Sequence, residues 1–180
     1  LEQQSLRDPI NLRMGLLQKA IVLTQGRRFD EALQAYQQAQ AIEPVREIPN
    51  FSLGYAYAGK EQYKEAAEYY KRSVEVLGGG NKYSQALVYL AATYAKIPEK
   101  RVEARVILKR IESMNEYASP AVLAAVYSAL DDNDSAMAML EQAYIKRDLL
   151  LRYISVGYEY DGLREDPRFK DLIERMGLPQ

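Results

Sequence analysis

The chain has 180 residues, of which 48% are hydrophobic and 27% are charged, and its formal net charge is −1. This length and apolar content are enough for a domain with a hydrophobic core, while the balanced charge gives no general attraction to nucleic acid. The chain contains no cysteine and no histidine, so disulfides, thiolate chemistry and the commonest acid–base and metal-ligating side chain are excluded. We therefore expect no enzyme, no metal site, no cofactor and no nucleic-acid partner.

A membrane-spanning segment is not predicted either. No apolar run approaches the roughly 18 residues that a membrane helix needs, and no basic-then-apolar secretory segment opens the chain. We therefore expect no direct membrane insertion within this segment. Because the first residue is Leu1 and not Met, we expect the chain to be part of a longer protein.

The sequence matches itself at a spacing of 34 residues, and no gap is needed. The matched pairs are Ala20–Gly54, Leu23–Tyr57, Phe29–Tyr63, Ala32–Ala66, Tyr36–Tyr70 and Ala39–Ser73. The motif leucine–small–x–x–tyrosine at Leu53–Tyr57 appears again at Leu90–Tyr94 and at Leu123–Tyr127. Such a period is typical of proteins in which each repeat buries its apolar face against its neighbours.

Within each unit, apolar and small residues recur three and four positions apart, which predicts two helices joined by a tight turn. The core-facing residues expected in the second helix of the first two units are Phe29, Ala32, Leu33, Tyr36, Ala39, Tyr63, Ala66, Ala67, Tyr70 and Val74. Pro44 is expected to end the first hairpin, because proline cannot continue a helix and restrains the residue before it.

The stretch LGYAYAGKEQYKEAAEYY, from Leu53 to Tyr70, resembles the tetratricopeptide repeat. The resemblance covers roughly residues 10 to 147. It implies an all-α fold, a right-handed α-α superhelix of about four helical hairpins followed by C-terminal capping helices. The implied segments are 1–12 (a lead-in or the tail of a preceding repeat), 13–46, 47–80, 81–116 and 117–147 (four repeats, the third degenerate), and 148–180 (the C-terminal capping segment).

The third and fourth units depart from the family pattern. The third has a turn at 96–100, and its second helix carries aliphatic residues in place of aromatic ones: Val102, Ala104, Ile107, Leu108 and Ile111. The fourth has Asp131-Asp132-Asn133-Asp134 at its turn, where we expect Asp134 to cap the next helix. A calcium loop is the alternative interpretation, but Ala136 and Gln142 replace the glycine and the closing glutamate that it needs.

The C-terminal stretch YDGLREDPRFKDLIERMGLP, from Tyr160 to Pro179, resembles the closing segment of many bacterial repeat proteins. In those proteins the repeats form the C-terminal part of a larger signalling protein, and the resemblance implies the same bacterial regulatory context here. We expect Asp166 and Pro167 to start the last helix. Its apolar residues should cover the exposed end of the last hairpin: Leu172, Ile173 and Met176.

Two further patterns allow a functional and a structural interpretation. The glycine-rich run from Gly78 to Lys82 lacks the preceding strand and the Ser or Thr of a phosphate loop, so a flexible linker is expected. Basic residues collect at Lys96, Lys100, Arg101, Arg105, Lys109 and Arg110. They form either a dock for an acidic partner or a solvated face, since Glu99, Glu103 and Glu112 lie among them.

In tetratricopeptide repeats the first helix of each hairpin lines a concave groove. The resemblance therefore places a partner-binding groove on Leu17, Ile21, Thr24, Phe51, Tyr55, Ala58, Val88, Tyr89 and Ala92, with Ala121 and Ala125 in the fourth unit. Because this groove is apolar and aromatic, we predict a protein–protein interaction module that binds a protein or peptide partner. The alternative is a structural or self-associating solenoid, a homo-oligomer with no separate ligand.

Overall fold

A computed structural model describes residues 8–43, 49–78, 81–113 and 118–178. Those ranges contain nine α-helices and no strand. The helices are α1 (Pro9–Gln25), α2 (Phe29–Ile42), α3 (Asn50–Gly59), α4 (Tyr63–Leu77), α5 (Asn81–Ala95), α6 (Arg101–Ser113), α7 (Pro120–Ala129), α8 (Asn133–Ile145) and α9 (Pro167–Arg175). Short 3₁₀ helices lie at Pro98–Lys100, Leu149–Tyr153 and Tyr158–Leu163.

The predicted all-α fold of packed, consecutive helical hairpins is confirmed. Helices α1 and α2, α5 and α6, and α7 and α8 pack in pairs. In the α3–α4 pair, the rings of Tyr57 and Tyr69 stack with their centroids 5.3 Å apart. The chain divides into two compact units: unit 1 extends to Tyr69, and unit 2 begins at Tyr70.

The core of unit 1 follows the predicted helical periodicity. Its buried residues come from α1, α2 and α3: Ala20, Leu23, Ala32, Leu33, Ala35, Tyr36, Ala39 and Ala56. The small residues let the helices approach closely, as the contact between α2 and α3 illustrates. A Cβ atom added at Gly59 would lie only 2.3 Å from the ring of Phe29. Glycine is therefore required at this position for Phe29 to stay in place.

The first, second and fourth hairpins share one type of turn. Arg27, Glu61 and Asp131 adopt φ angles of 59°, 60° and 65°, in the left-handed region. In the first turn, the amide of Arg28 donates to the carbonyl of Leu23 at 2.8 Å, and equivalent bonds close the other two. This is the Schellman motif that satisfies the last carbonyls of a helix. The fourth hairpin therefore keeps the turn geometry even though its sequence departs from the repeat pattern.

The helix cap in the fourth hairpin differs from the prediction. Helix α8 begins at Asn133, so Asp132 precedes it, and the Asp132 side chain accepts a bond from the amide of Ser135 at 3.1 Å. The prediction that Asp134 caps the helix is wrong, because Asp134 already lies within the first turn. Its carboxylate is instead 2.8 Å from the guanidinium of Arg168.

The predicted linker at Gly78–Lys82 is shorter in the structure. Helix α4 ends at Leu77, and Gly78 has a φ of 63°, the left-handed conformation that glycine adopts most easily. Helix α5 already begins at Asn81, so Asn81 and Lys82 are helical. The expected stop at Pro44 lies outside the described residues.

Helix α1 begins inside the segment 1–12 that was assigned to a lead-in or to a preceding repeat. Pro9 is its first residue, where the missing amide of proline costs nothing. Asp8 caps it by accepting a bond from the amide of Ile10 at 3.0 Å. The same arrangement starts α9, since Asp166 accepts a bond from the amide of Arg168 at 2.9 Å and Pro167 follows it, as predicted.

Unit 2 has a larger core, to which the C-terminal segment contributes. Its buried residues come from α7, α8, two 3₁₀ helices and α9: Ala121, Ala124, Ala125, Ala136, Met137, Leu140, Ala143, Leu151, Ile154, Tyr160, Leu163, Phe169, Leu172 and Ile173. Met176 packs against this core and is half-buried. The residues after α8 are thus part of the packing of the last hairpin.

Candidate partner-binding surfaces

The structure places the nine predicted groove residues in two groups. The first group is at least partly exposed: Leu17, Ile21, Phe51, Tyr55 and Ala92. The second group is buried: Thr24, Ala58, Val88 and Tyr89. These four side chains are at most 8% exposed, so in this conformation they offer little surface to a partner. Because the chain divides into two units, the two parts of the predicted groove are described separately.

In unit 1, a buried tyrosine fixes the position of α1 beside α3. Tyr36 comes from α2 and forms hydrogen bonds with the side chains of Thr24 and Ser52. Burial raises the pKa of Tyr36, and those two hydrogen bonds partly offset the increase. Thr24 also donates from Oγ1 to the carbonyl of Ala20 at 2.7 Å. Thr24 therefore takes part in the junction between α1 and Tyr36 of α2.

Beside this junction lies a surface that we call the α1–α3 face, made of Ile10, Met14, Leu17, Ile21, Phe51 and Tyr55. Ile21 lies three residues before Thr24, and Tyr55 lies three residues after Ser52, so each is a neighbour of the junction on its helix. The α1 residues are spaced by four, three and four positions, which aligns them along one side of the helix. Ile10, Met14 and Ile21 are 62%, 47% and 41% exposed.

Ile10 and Met14 were not among the predicted groove residues. The sequence carried a signal for them, since they continue the spacing of Leu17 and Ile21 toward the start of α1. Ile10 was missed because segment 1–12 was not assigned to a repeat helix, whereas Met14 lies inside the segment 13–46 that was assigned to the first repeat. With these two residues, the apolar stripe extends over three turns of α1.

The α1–α3 face carries almost no charge. Helix α3 contains no charged residue, and α1 contains only Arg13 and Lys19. Arg13 is buried and lies 3.7 Å from the carboxylate of Glu43. Lys19 precedes Ile21 by two positions, which directs it away from the stripe. The chemistry of this surface is therefore apolar, with aromatic rings at one side.

In unit 2, the middle of the corresponding helix α5 is enclosed by other elements. Six consecutive residues, 86–91, are buried, which is the pattern of a helix enclosed by other elements. The ring of Tyr89 stacks on that of Tyr70, with centroids 5.8 Å apart. Its hydroxyl donates to the carboxylate of Glu159 at 3.0 Å. The predicted groove position at Tyr89 is thus occupied by the protein's own C-terminal segment.

Helix α7 is covered by the same part of the chain, the 3₁₀ helix Tyr158–Leu163, which we call the covering segment. The hydroxyl of Tyr160 donates to the carbonyl of Ala121 at 2.8 Å, and the Tyr160 side chain is 2% exposed. Burial raises the pKa of Tyr160 well above its usual value. Gly162 lies against Ser128, whose hydroxyl would be 3.1 Å from an added Cβ atom.

Ala121 and Ala125, the groove positions expected in the fourth unit, are therefore core residues. Both belong to the buried cluster that includes Tyr160 and Leu163. The sequence predicted a C-terminal capping segment at 148–180, but not that part of it lies on α7, because the covering segment follows no helical repeat pattern. The aromatic sequence Tyr158-Glu159-Tyr160 was the only local hint that this part is buried.

Polar bonds hold the C-terminal segment in place. Asp148 accepts a bond from the hydroxyl of Ser119 at 2.5 Å and another from the amide of Leu150 at 3.0 Å, which joins the segment to the start of α7. Arg164 donates to the carbonyls of Ser155 and Gly157 at 2.9 and 3.3 Å. These bonds satisfy backbone groups that short 3₁₀ helices leave free.

The acidic turn at 131–134 is used for structure. Asp131 lies 2.8 Å from the guanidinium of Arg101, while Asp132 caps α8 and Asp134 pairs with Arg168. Each carboxylate therefore has its own partner. Across the described ranges, no group of three or more acidic side chains is arranged to hold a metal ion.

These features define the chain as a protein of consecutive helical hairpins, with small residues at close helix contacts and a recurring Schellman turn. Residues 50–76, which cover α3 and nearly all of α4, match the Tetratricopeptide repeat family. The match supports a tetratricopeptide repeat protein and, generally, a protein–protein interaction module built on a type of scaffold that is usually non-catalytic. Comparison with curated proteins and with solved structures gave no significant match. Every helix in the described ranges is too short or too polar to cross a bilayer.

Proposed function

We propose that the chain binds an apolar, uncharged segment of a partner protein on the α1–α3 face. The observation that carries the proposal is the row of exposed apolar side chains at Ile10, Met14 and Ile21. Exposed apolar surfaces of this kind usually mark an interaction site. Leu17, Phe51 and Tyr55 extend the same surface, and aromatic side chains are enriched where partners contribute most binding energy.

We expect no partner to bind on α5 or α7, the first helices of the two hairpins in unit 2. Val88 and Tyr89 are buried, and the covering segment lies on α7. A partner would have to displace Tyr160 and its hydrogen bond to reach that surface. Most of the exposed residues of the predicted groove therefore lie in unit 1, and Ala92 is the partly exposed one in unit 2.

We further propose that the chain is not an enzyme and uses no cofactor. It has neither cysteine nor histidine, and the acidic residues of its most acidic turn are engaged with Arg101, Arg168 and a helix end. A role as the partner-binding part of a larger bacterial regulatory protein fits the sequence resemblance of its C-terminal stretch.

The proposal can be tested with peptides selected from a random displayed library against the whole chain. We expect the selected peptides to be apolar. They should bind about tenfold more weakly to the double variant Phe51→Ala, Tyr55→Ala, because removing aromatic anchors usually lowers the binding affinity by at least this much. Because the face lacks charge, raising the salt concentration from about 0.05 M to about 0.5 M should leave the affinity nearly unchanged. Fluorescence anisotropy with a labelled peptide measures both effects.

The matched control is Ile145→Ala, which removes an apolar side chain that is 78% exposed in unit 2. It should change the affinity by less than about twofold. If the peptides bind the double variant as well as the natural chain, recognition by the α1–α3 face is wrong. Thermal unfolding of each variant shows whether it is folded.

Self-association is the second candidate, since a second copy could cover the same exposed stripe. Sedimentation of the chain over a range of concentrations distinguishes the two. A dimer that the Phe51→Ala, Tyr55→Ala variant abolishes would assign the α1–α3 face to self-association. A monomer at all concentrations would leave the face to a different protein.

A further inference from the structure

Helix α6 presents an exposed ridge that the repeat fold does not use. The ridge consists of Val102, Arg105, Val106 and Lys109, spaced at three and four positions along one side of the helix. The valines are 70% and 63% exposed. The sequence pattern placed Val102 on the apolar face of α6, but the buried residues are Ala104, Leu108 and Ile111, on the opposite side.

Both cations of the ridge are exposed, and neither Arg105 nor Lys109 makes an ion pair with a residue that the structure describes. The other cations of the basic cluster differ in this respect. Lys100 lies 2.8 Å from the carboxylate of Glu103, and Arg101 lies 2.8 Å from that of Asp131.

The glutamates within the cluster are engaged elsewhere. Glu103 pairs with Lys100, and this hydrogen bond lowers the pKa of Glu103. Glu112 accepts a hydrogen bond from the hydroxyl of Tyr127 in α7. No ion pair joins either carboxylate to Arg105 or Lys109 in the described ranges. Both interpretations of the basic cluster, a solvated face and a dock for an acidic partner, are compatible with this arrangement.

We propose that the α6 ridge is a second docking surface, for an acidic amphipathic segment of a partner protein. Carboxylates of such a segment would pair with Arg105 and Lys109, while its apolar side chains would cover Val102 and Val106. The alternation of apolar and cationic residues matches a helix whose apolar positions are flanked by glutamates. A nucleic acid is disfavoured, because the ridge carries two cations and the chain has a net charge of −1.

The test uses a synthetic helical peptide of about 15 residues with leucines at i and i+4 flanked by glutamates, a pattern suited to docking on a helix ridge. Its control is the same peptide with glutamine in place of glutamate. We expect Arg105→Glu, Lys109→Glu to weaken binding of the acidic peptide about tenfold, from the loss and reversal of two exposed ion pairs. Lys146→Glu, at an exposed site outside the ridge, should change it by less than about twofold.

A second variant tests the apolar half. The double variant Val102→Ser, Val106→Ser keeps both cations and should also weaken binding of the acidic peptide. Because both positions are exposed, the variant should still fold. Equal binding of the glutamate and glutamine peptides would overturn the proposal, as would no binding of the acidic peptide at about 1 mM. Binding of single-stranded RNA or of anionic vesicles through the same two cations, in preference to the peptide, would also overturn it.

Discussion

Helix α1 in unit 1 and helix α7 in unit 2 are both the first helix of a hairpin, yet their surroundings differ. Helix α1 buries four of its 17 residues, whereas α7 buries eight of ten. Helix α7 packs against α5 and α8 and also against the covering segment, whose Tyr160 is bonded to the carbonyl of Ala121, whereas α1 packs mainly against α2. The availability of an inner helix to a partner therefore depends in part on chain outside the repeats.

The largest expected effect is on the cover of unit 2. Replacing Tyr160 by Ala removes a buried ring that stacks on Phe169 and bonds to Ala121. We expect the free energy of unfolding to fall by about 3–5 kcal/mol, as for other buried aromatic residues. Urea denaturation followed by circular dichroism measures this loss.

The matched control for this change is Tyr160→Phe, which keeps the ring and removes only the hydroxyl. It should cost about 1 kcal/mol, the usual net value of one hydrogen bond. A loss below about 1 kcal/mol for the alanine variant would mean that the segment does not support unit 2 as described.

A smaller effect is expected in unit 1 at Gly59. A methyl group at this position would collide with the ring of Phe29, so Gly59→Ala should lower stability by about 1–3 kcal/mol. Gly15 in α1 is the control, since an added Cβ atom there meets nothing within 4 Å. Gly15→Ala should raise stability by about 0.5–1 kcal/mol, because alanine loses less backbone entropy in a helix. Equal effects at the two sites would contradict the close packing of α2 against α3.

These predictions depend on features that the sequence revealed to different degrees. The core face of α2, with Phe29, Tyr36 and Ala39, was predictable because its apolar spacing matches the helical period. Asp132 could not be distinguished from Asp134 as the cap, because both are good capping residues and only the first helical residue decides between them.

The candidate site was harder to predict than the fold. A repeat pattern indicates which side of a helix faces inward, but not what lies on it. Thr24 is buried and contacts Ala20 and Tyr36, while Tyr89 is buried and donates a hydrogen bond to Glu159. The bond between Tyr89 and Glu159 joins residues 70 positions apart, a contact that no local pattern predicts.

The smallest effect concerns pH. Burial, together with the hydrogen bond and charge of Glu112, raises the pKa of Tyr127 from 10.0 to about 12. As the pH rises through this interval, the Tyr127 hydroxyl ionises first in the unfolded state. The contribution of this group to the free energy of unfolding is therefore present below about pH 10 and is lost toward pH 12. We expect Tyr127→Phe to lose less stability than the natural chain between about pH 9 and about pH 11.

Urea denaturation of both proteins at the two pH values measures this difference. The pKa values of Tyr70 and Tyr160 are also raised by burial, but both groups are present in both proteins. The comparison therefore isolates Tyr127. An equal loss of stability in the two proteins would contradict the environment described for its hydroxyl.

The contrast between an open face in unit 1 and a covered face in unit 2 can be measured by thiol labelling. Because the natural chain has no cysteine, single substitutions report on single sites. Ile21→Cys probes the α1–α3 face, and Ser128→Cys probes the surface of α7 beneath Gly162. With a thiol-reactive reagent, we expect Ser128→Cys to react at least about 100-fold more slowly, because it must wait for local opening. Equal rates in the two folded variants would contradict the account.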